Sequence, residues 1–266
     1  MAGEESQTAM DALNFYDGLG DDYDRMVSWK TRLAREEDFF ERLFDERASR
    51  RVLDAACGTG MHAIAFARRG REVAGADLSP VMVRRAQRNA EEAGVHVDFR
   101  VAGLGECLRE WSAPFDAVTC IGNSLPHLLD DRSLSRCFSD FSSVLRPGGT
   151  LVIQNRNYDR LLRDRQRLMP LTSRQTDAEE TLFLRITDYS RTADDERIDF
   201  TIVILAKKAG AWSQTVRTTP LRALRRVTLE KALAEAGFTD IRAYGDYLGG
   251  PSNAPEAPDL VIVARR

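Results

Sequence analysis

A chain of 266 residues with 43% hydrophobic side chains is long enough to bury a sizeable core, and it fits one α/β domain with room for an inserted subdomain. The net charge is −3, and 38 Lys and Arg are interleaved with 41 Asp and Glu as on a solvated surface, so nucleic acid is not expected as a partner. No apolar run approaches the ~20 residues of a membrane span, and the polar, acidic stretch Met1 to Asp11 lacks a secretory core, so no membrane association is expected.

In chain order, residues 1–10 read as disordered and residues 11–48 as helical, with a turn around Gly18 to Asp22. Phe39, Phe40, Leu43 and Phe44 recur at helical spacing. Short apolar strands then alternate with amphipathic helices. The strands are Val52 to Ala55, Val73 to Ala76, His96 to Val101, Phe115 to Ile121 and Thr150 to Gln154. The helices are Met61 to Arg69, Pro80 to Ala93, Glu106 to Trp111 and Asp131 to Leu145, and Pro147-Gly148-Gly149 reads as a turn. This rhythm predicts βαβ units and a parallel sheet. It breaks after about residue 165. Glu180 to Tyr189, Arg197 to Lys207 and Trp212 to Arg222 read as antiparallel strands, turned by Asp194-Asp195-Glu196 and Ala209-Gly210-Ala211. Thr228 to Ala236 (helix), Thr239 to Tyr247 (strand) and Asp259 to Ala264 (strand) then rejoin the first pattern.

The expected fold is α/β: a Rossmann-like, mostly parallel twisted sheet with helices on both faces, plus an antiparallel β insertion forming a lid. The expected units are a helical cap (1–48), a cofactor-binding core (49–165), the lid (166–226) and a return to the core sheet (227–266). An insertion at this point would overlie the carboxyl ends of the parallel strands, where open α/β sheets bind ligands. The four cysteines (Cys57, Cys107, Cys120, Cys137) and three histidines (His62, His96, His127) follow no zinc-ligand spacing, so no metal is expected. Four free thiols suit a reducing compartment, hence a cytoplasmic location. A homo-oligomer is left open.

Asp54-Ala55-Ala56-Cys57-Gly58-Thr59-Gly60 follows the first strand and opens a helix. Glycines there let backbone approach a ligand closely, and the helix start offers free N–H groups. Asp77 ends the second strand, where a carboxylate can accept both hydroxyls of a ribose. A dinucleotide fingerprint would read GxGxxG; this loop meets it only in part, so NAD stays open on the loop alone.

VLDAACGTG (Val52 to Gly60), ADLS (Ala76 to Ser79), FDAVTC (Phe115 to Cys120) and LRPGGTLVI (Leu145 to Ile153) together resemble the class I S-adenosylmethionine-dependent methyltransferases. The resemblance covers about residues 50 to 155. It implies S-adenosyl-L-methionine as cofactor, S-adenosyl-L-homocysteine as product and methyl transfer as activity. Gly58 and Gly60 would pass under the methionine part, Asp54 would meet its ammonium group, and Ala56, Leu78, Ile121 and Gly122 would line the site. In that family the loop after the third strand holds the adenine, often with an acid. Here it reads Ala102-Gly103-Leu104, so backbone groups of Gly103 and an apolar contact from Leu104 would take the acid's place.

IGNSLPHL (Ile121 to Leu128), RNYD (Arg156 to Asp159) and WKTR (Trp29 to Arg32) resemble, more narrowly, the glycine and glycine/sarcosine N-methyltransferases. That implies N-methylation of a small amine or amino acid. Asn123 and Arg156 would face the acceptor, Arg32 the cofactor's carboxylate, and His127 would bind without acting as a base. The residues agree in kind: a planar guanidinium suits a carboxylate, and an amide offers both donor and acceptor. The tyrosines that line the family's acceptor pocket are absent from their expected places, where Phe200 and Thr218-Thr219-Pro220 stand. Tyr189, Tyr244 and Tyr247 are the candidates to compensate. Other small-molecule or protein acceptors remain alternatives, as does a non-catalytic module that only binds the cofactor. A base-directed methyltransferase is disfavoured, because Ser124-Leu125-Pro126 supplies no aromatic to stack a flipped base.

Overall fold

The computed structural model describes residues 2–20, 22–189, 196–249 and 256–266, with side chains from Met10 onward. The chain opens with helices α1 (Ala2–Asp17), α2 (Asp22–Met26) and α3 (Trp29–Glu46). The expectation of disorder over residues 1–10 is therefore corrected for the backbone from Ala2. The cause is tertiary: Ala12, Phe15 and Leu19 are buried, Phe15 and Leu19 in one apolar cluster with Met82, Phe183, Ile202 and Ile204, and a helix nucleated by such packing propagates cheaply into a polar stretch.

Next come β1 (Arg51–Ala55), α4 (Met61–Arg68), β2 (Glu72–Asp77), α5 (Pro80–Ala93), β3 (Asp98–Val101), α6 (Cys107–Glu110) and β4 (Phe115–Cys120). Ser79 caps α5 as its sequence implied, accepting from the Met82 N–H at 3.0 Å with Pro80 in the first turn. A 3-10 turn at Leu125–His127 leads into α7 (Asp131–Val144) and β5 (Leu145–Arg156). Pro147-Gly148-Gly149, read as a turn, lies inside β5. There the pairing with β4 slips between Phe115 and Ala117, Gly148 takes φ +74°, and Arg266 clamps the bulge through backbone bonds to Gly148 and Gly149.

Helix α8 (Tyr158–Asp164) and strand β6 (Thr172–Gln175) were not foreseen. The first is capped by Asn157, whose side chain accepts from the Arg160 N–H. Strands β7 (Glu179–Tyr189), β8 (Arg197–Lys208) and β9 (Ala211–Arg222) then form antiparallel pairs. Ala209 and Gly210 join β8 to β9 with positive φ, the conformation a two-residue hairpin needs. Of the other expected turn, Asp194 and Asp195 lie outside the described residues. The chain ends with α9 (Arg226–Glu235), β10 (Thr239–Tyr244) and β11 (Asp259–Arg265).

Seven strands form the main sheet in the order β10-β11-β5-β4-β1-β2-β3, in which β11 runs antiparallel to both its neighbours. The order reverses between β1 and β4, so a crevice opens at their carboxyl ends. Both faces are covered: Leu53, Val118 and Ile153 pack in one core and Val52, Ala117 and Val152 in the other, which explains the continuous apolar runs of these strands. The second sheet, β6-β7-β8-β9, packs Phe183, Ile202 and Ile204 against α1 and Met82 of α5, over that crevice. No helix among the described residues is long and apolar enough to cross a membrane.

Candidate active site

Two cavities adjoin in the crevice. The first, of about 230 Å³, is lined from the loop after β1 by Asp54, Ala56 and Gly58, and from the end of β2 by Asp77 and Leu78. Gly103 and Leu104 follow β3, Ile121 and Gly122 follow β4, and Arg32 and His127 close the remaining sides. Eleven of the twelve residues expected around the cofactor thus meet in one hollow; the exception is Gly60, which does not line it. A Cβ at Gly60 would stand 2.7 Å from the Phe99 ring and 2.8 Å from the Ala86 methyl, and its φ is +80°. It serves the close packing of α4 and α5 on the sheet. Gly58, with φ +55°, has room for a side chain but not the backbone for one.

The polar groups of this cavity are in unequal states. Asp54 is 1% exposed; its Oδ1 accepts from the Thr119 hydroxyl at 2.8 Å, while Oδ2 is buried with no partner. Burial pushes this carboxyl above the usual range. A donor arriving from the cavity would satisfy Oδ2, and the ammonium of an amino acid is such a donor. Across the cavity, Arg32 spends Nε on Glu36, and Glu36 meets His62 Nε2 at 2.7 Å. Burial opposes the Glu36 charge, but the bonds from His62 and Arg32 outweigh it and hold the carboxyl below its usual range. The Arg32 Nη atoms lie beside Gly122, where a Cβ would come within 3.7 Å. Asp77 accepts backbone N–H groups from Gly58 (2.7 Å) and Ser79 (2.9 Å), one on each oxygen. Burial still pushes Asp77 up to about 6, and each oxygen keeps a lone pair for a hydroxyl. These residues fit the amino acid and ribose parts of S-adenosylmethionine.

The adenine end requires a correction. Gly103 was expected to offer its backbone, but its N–H donates to Glu106 Oε2 at 3.0 Å and its carbonyl accepts the Glu106 N–H. Glu106 itself lines the cavity, so an acid is present two residues beyond Leu104, the end of the loop considered.

The second cavity is larger, about 970 Å³, and shares Tyr16, Tyr23, Arg32, Gly122 and His127 with the first. Asn123, Arg156 and Tyr158 form its floor, and the second sheet supplies Arg185, Thr187 and Phe200. Arg156 is half-buried, and its guanidinium has no hydrogen-bond or ion-pair partner among the described residues, neither Asp159 nor Asp164 pairing with it. Asn123 departs from expectation. Its Oδ1 accepts the Arg156 N–H at 3.0 Å and its Nδ2 donates to the Tyr158 hydroxyl at 3.0 Å. With φ +70° it works as a latch between two loops, and its amide is spent on holding Arg156 rather than aiming an amine.

His127 Nε2 meets the Tyr16 hydroxyl at 3.0 Å, and burial pushes the imidazole down to about 4, so it is neutral near pH 7. Tyr189, Tyr244 and Tyr247 line neither cavity. Tyr189 donates to the Gln166 carbonyl, and Tyr244 and Tyr247 stack on Phe39. The tyrosines that line the second cavity are instead Tyr16, Tyr23 and Tyr158. Tyr16 and Tyr23 lie on the N-terminal helices, whose sequence carries an apolar pattern but no sign of which residues face a ligand.

A methyltransferase-domain model matches residues 52–149. The chain is 39% identical over 148 residues to the glycine/sarcosine N-methyltransferase of Parasynechococcus marenigrum, covering 56% of this chain and 52% of that one. It is 31% identical over 238 residues to the glycine/sarcosine N-methyltransferase of Aphanothece halophytica, covering 88% of this chain and 83% of that one. The matched stretch thus spans about half of the first relative and most of the second. A solved S-adenosylmethionine-dependent methyltransferase from Clostridium acetobutylicum superposes with a TM-score of 0.76 at 17% identity, covering 94% of this chain and 98% of that one. Fold and glycine loop define the class of S-adenosylmethionine-dependent methyltransferases. Within that class, the chain belongs to the family of the glycine/sarcosine N-methyltransferases.

Proposed function

We propose that this protein N-methylates a small amino acid, holding the acceptor's carboxylate on Arg156. The observation that carries this reading is a guanidinium without a partner among the described residues, on the floor of a cavity that joins the first one through Tyr16, Arg32 and Gly122. A carboxylate is the ligand whose two oxygens match a guanidinium edge. The name of the Aphanothece relative agrees with an amino acid acceptor.

When bound, S-adenosylmethionine would supply an electrophilic methyl on its sulfonium sulfur, so that a neutral amine could form the N–C bond as the C–S bond breaks and S-adenosylhomocysteine leaves. In this proposal Asp54 and Arg32 hold the amino acid end of the cofactor, Asp77 the ribose, and Leu78, Leu104 and Glu106 the adenine. Asn123 is a positioning residue: it fixes the Arg156 backbone. The N-terminal cap (1–48) and the insert (166–226) keep water from the reacting pair. An ammonium has no lone pair, so the acceptor must lose a proton before attack. His127 is neutral and bonded to Tyr16, and burial keeps the Tyr16 and Tyr23 hydroxyls protonated, so in this proposal solvent takes that proton before closure.

The test is a methyl-transfer screen over glycine, sarcosine, larger amino acids and simple amines, read by S-adenosylhomocysteine release. Amino acids should be turned over and amines lacking a carboxylate should not. Turnover of amines alone would overturn the proposal.

A further inference from the structure

The second cavity is far larger than the main chain of an amino acid requires, and its charge is unbalanced. Of the arginines on its wall, Arg32 and Arg35 pair with Glu36, and Arg160 pairs with Asp164. Arg156, Arg174 and Arg185 meet no carboxylate among the described residues, and Arg174 donates to the Ser173 carbonyl. One acceptor carboxylate on Arg156 leaves Arg185 uncompensated.

Arg185 is not a solvated surface group. It stands on β7 with one Nη donating to the Pro170 carbonyl and the Thr172 hydroxyl, both at 3.0 Å. Its Nε is buried and has no hydrogen-bond partner among the described residues. Thr187, two residues along the strand and so on the same face, is 1% exposed, and its hydroxyl is also buried without a partner. Both residues line the cavity. The wall around them is apolar, with Ile198, Ile202 and Leu221 almost fully buried. An unpaired guanidinium Nε–H and an unpaired hydroxyl in such surroundings are costly unless a ligand completes them. The two arginines also sense one another: burial and the Arg156 charge together lower the proton affinity of Arg185. An anion between them relieves that repulsion.

We propose that the acceptor is an amino acid bearing a second anionic group, and that Arg185 and Thr187 receive this group while Arg156 holds the α-carboxylate. This rests on the amino acid reading above and deepens it. The second anion is a carboxylate or a phosphate ester, since both accept from a guanidinium N–H and from a hydroxyl.

The test compares kcat/KM for glycine, sarcosine, aspartate, glutamate and O-phosphoserine, in the wild type and in Arg185→Gln, Arg185→Lys and Thr187→Val. The wild type should prefer at least one of the three anionic amino acids over glycine by about tenfold or more. Arg185→Gln should lower that preference ratio about 10- to 100-fold, with partial recovery in Arg185→Lys. Thr187→Val should lower it by a smaller factor in the same direction. The ranking of glutamate against O-phosphoserine identifies the anion. S-adenosylhomocysteine binding by each variant verifies its fold, and Thr187→Val carries the test if Arg185→Gln does not fold. A wild type that prefers glycine or sarcosine, or a ratio unchanged in the variants, overturns this inference and leaves the amino acid reading standing. A wild type that methylates no amino acid overturns both.

Discussion

The two cavities are built in opposite ways. The cofactor side is made at strand tips, from residues adjacent in the sequence, and its ligand-facing groups are largely backbone or backbone-held: Asp77 is fixed by two N–H groups, and Gly58 carries a left-handed loop. The acceptor side is made of side chains brought from α1, α2, β5, β7 and β8, and its floor depends on one amide latch at Asn123. A seat of the first kind belongs to the whole fold; a seat of the second kind can change its ligand by replacing a few side chains.

That contrast predicts where substitutions act. The largest effect should come from Arg156→Ala. It should lower kcat/KM for the acceptor about 100- to 1000-fold while S-adenosylhomocysteine affinity, measured by calorimetry, stays within about threefold. Parallel loss of cofactor binding would dissolve the division between the cavities. Gly60→Ala should do the reverse of a local change. Its Cβ would collide with Phe99 and Ala86, at a φ that alanine resists, so thermal unfolding should show a loss of about 2–4 kcal/mol together with weakened cofactor binding.

A smaller effect is expected in pH dependence. The Asp77 carboxyl lies at about 6, above the ordinary value, because burial disfavours its charge. In the free protein this group therefore favours the folded state at low pH, and that contribution is lost as pH rises through about 6. Ribose hydroxyls donate to the ionised carboxylate, so S-adenosylhomocysteine affinity should run the other way. It should rise by up to about tenfold per unit from about pH 5 and level off above about pH 7. Asp77→Asn should flatten the curve; an unaltered slope in that variant would assign it to another group.

The same contrast decides what could be read from the chain. Strand alternation, the Ser79-Pro80 cap and the glycine loop are local, so the sheet and most of the cofactor wall were legible. Glu106 was missed because it turns back onto Gly103 from the start of α6, a contact made by the loop and not by its spacing from β3. Tyr16 was missed because α1 was read only from Asp11, as a cap without a ligand face. Arg185 carries no local sign at all: it is one arginine among many on an alternating strand, and only packing against the Pro170–Thr172 segment leaves it half-buried without a carboxylate. Asn123 was expected to aim an acceptor, but its amide is taken by Tyr158 and the Arg156 backbone, since a side chain's partners are set by the neighbouring loop.

The central claim is that the acceptor is held by its α-carboxylate on Arg156. The most direct measurement is the ratio of kcat/KM for an accepted amino acid to that for its α-carboxamide. The wild type should favour the acid by about 100-fold or more, and Arg156→Ala should bring the ratio near one. Equal turnover of acid and amide by the wild type would contradict it.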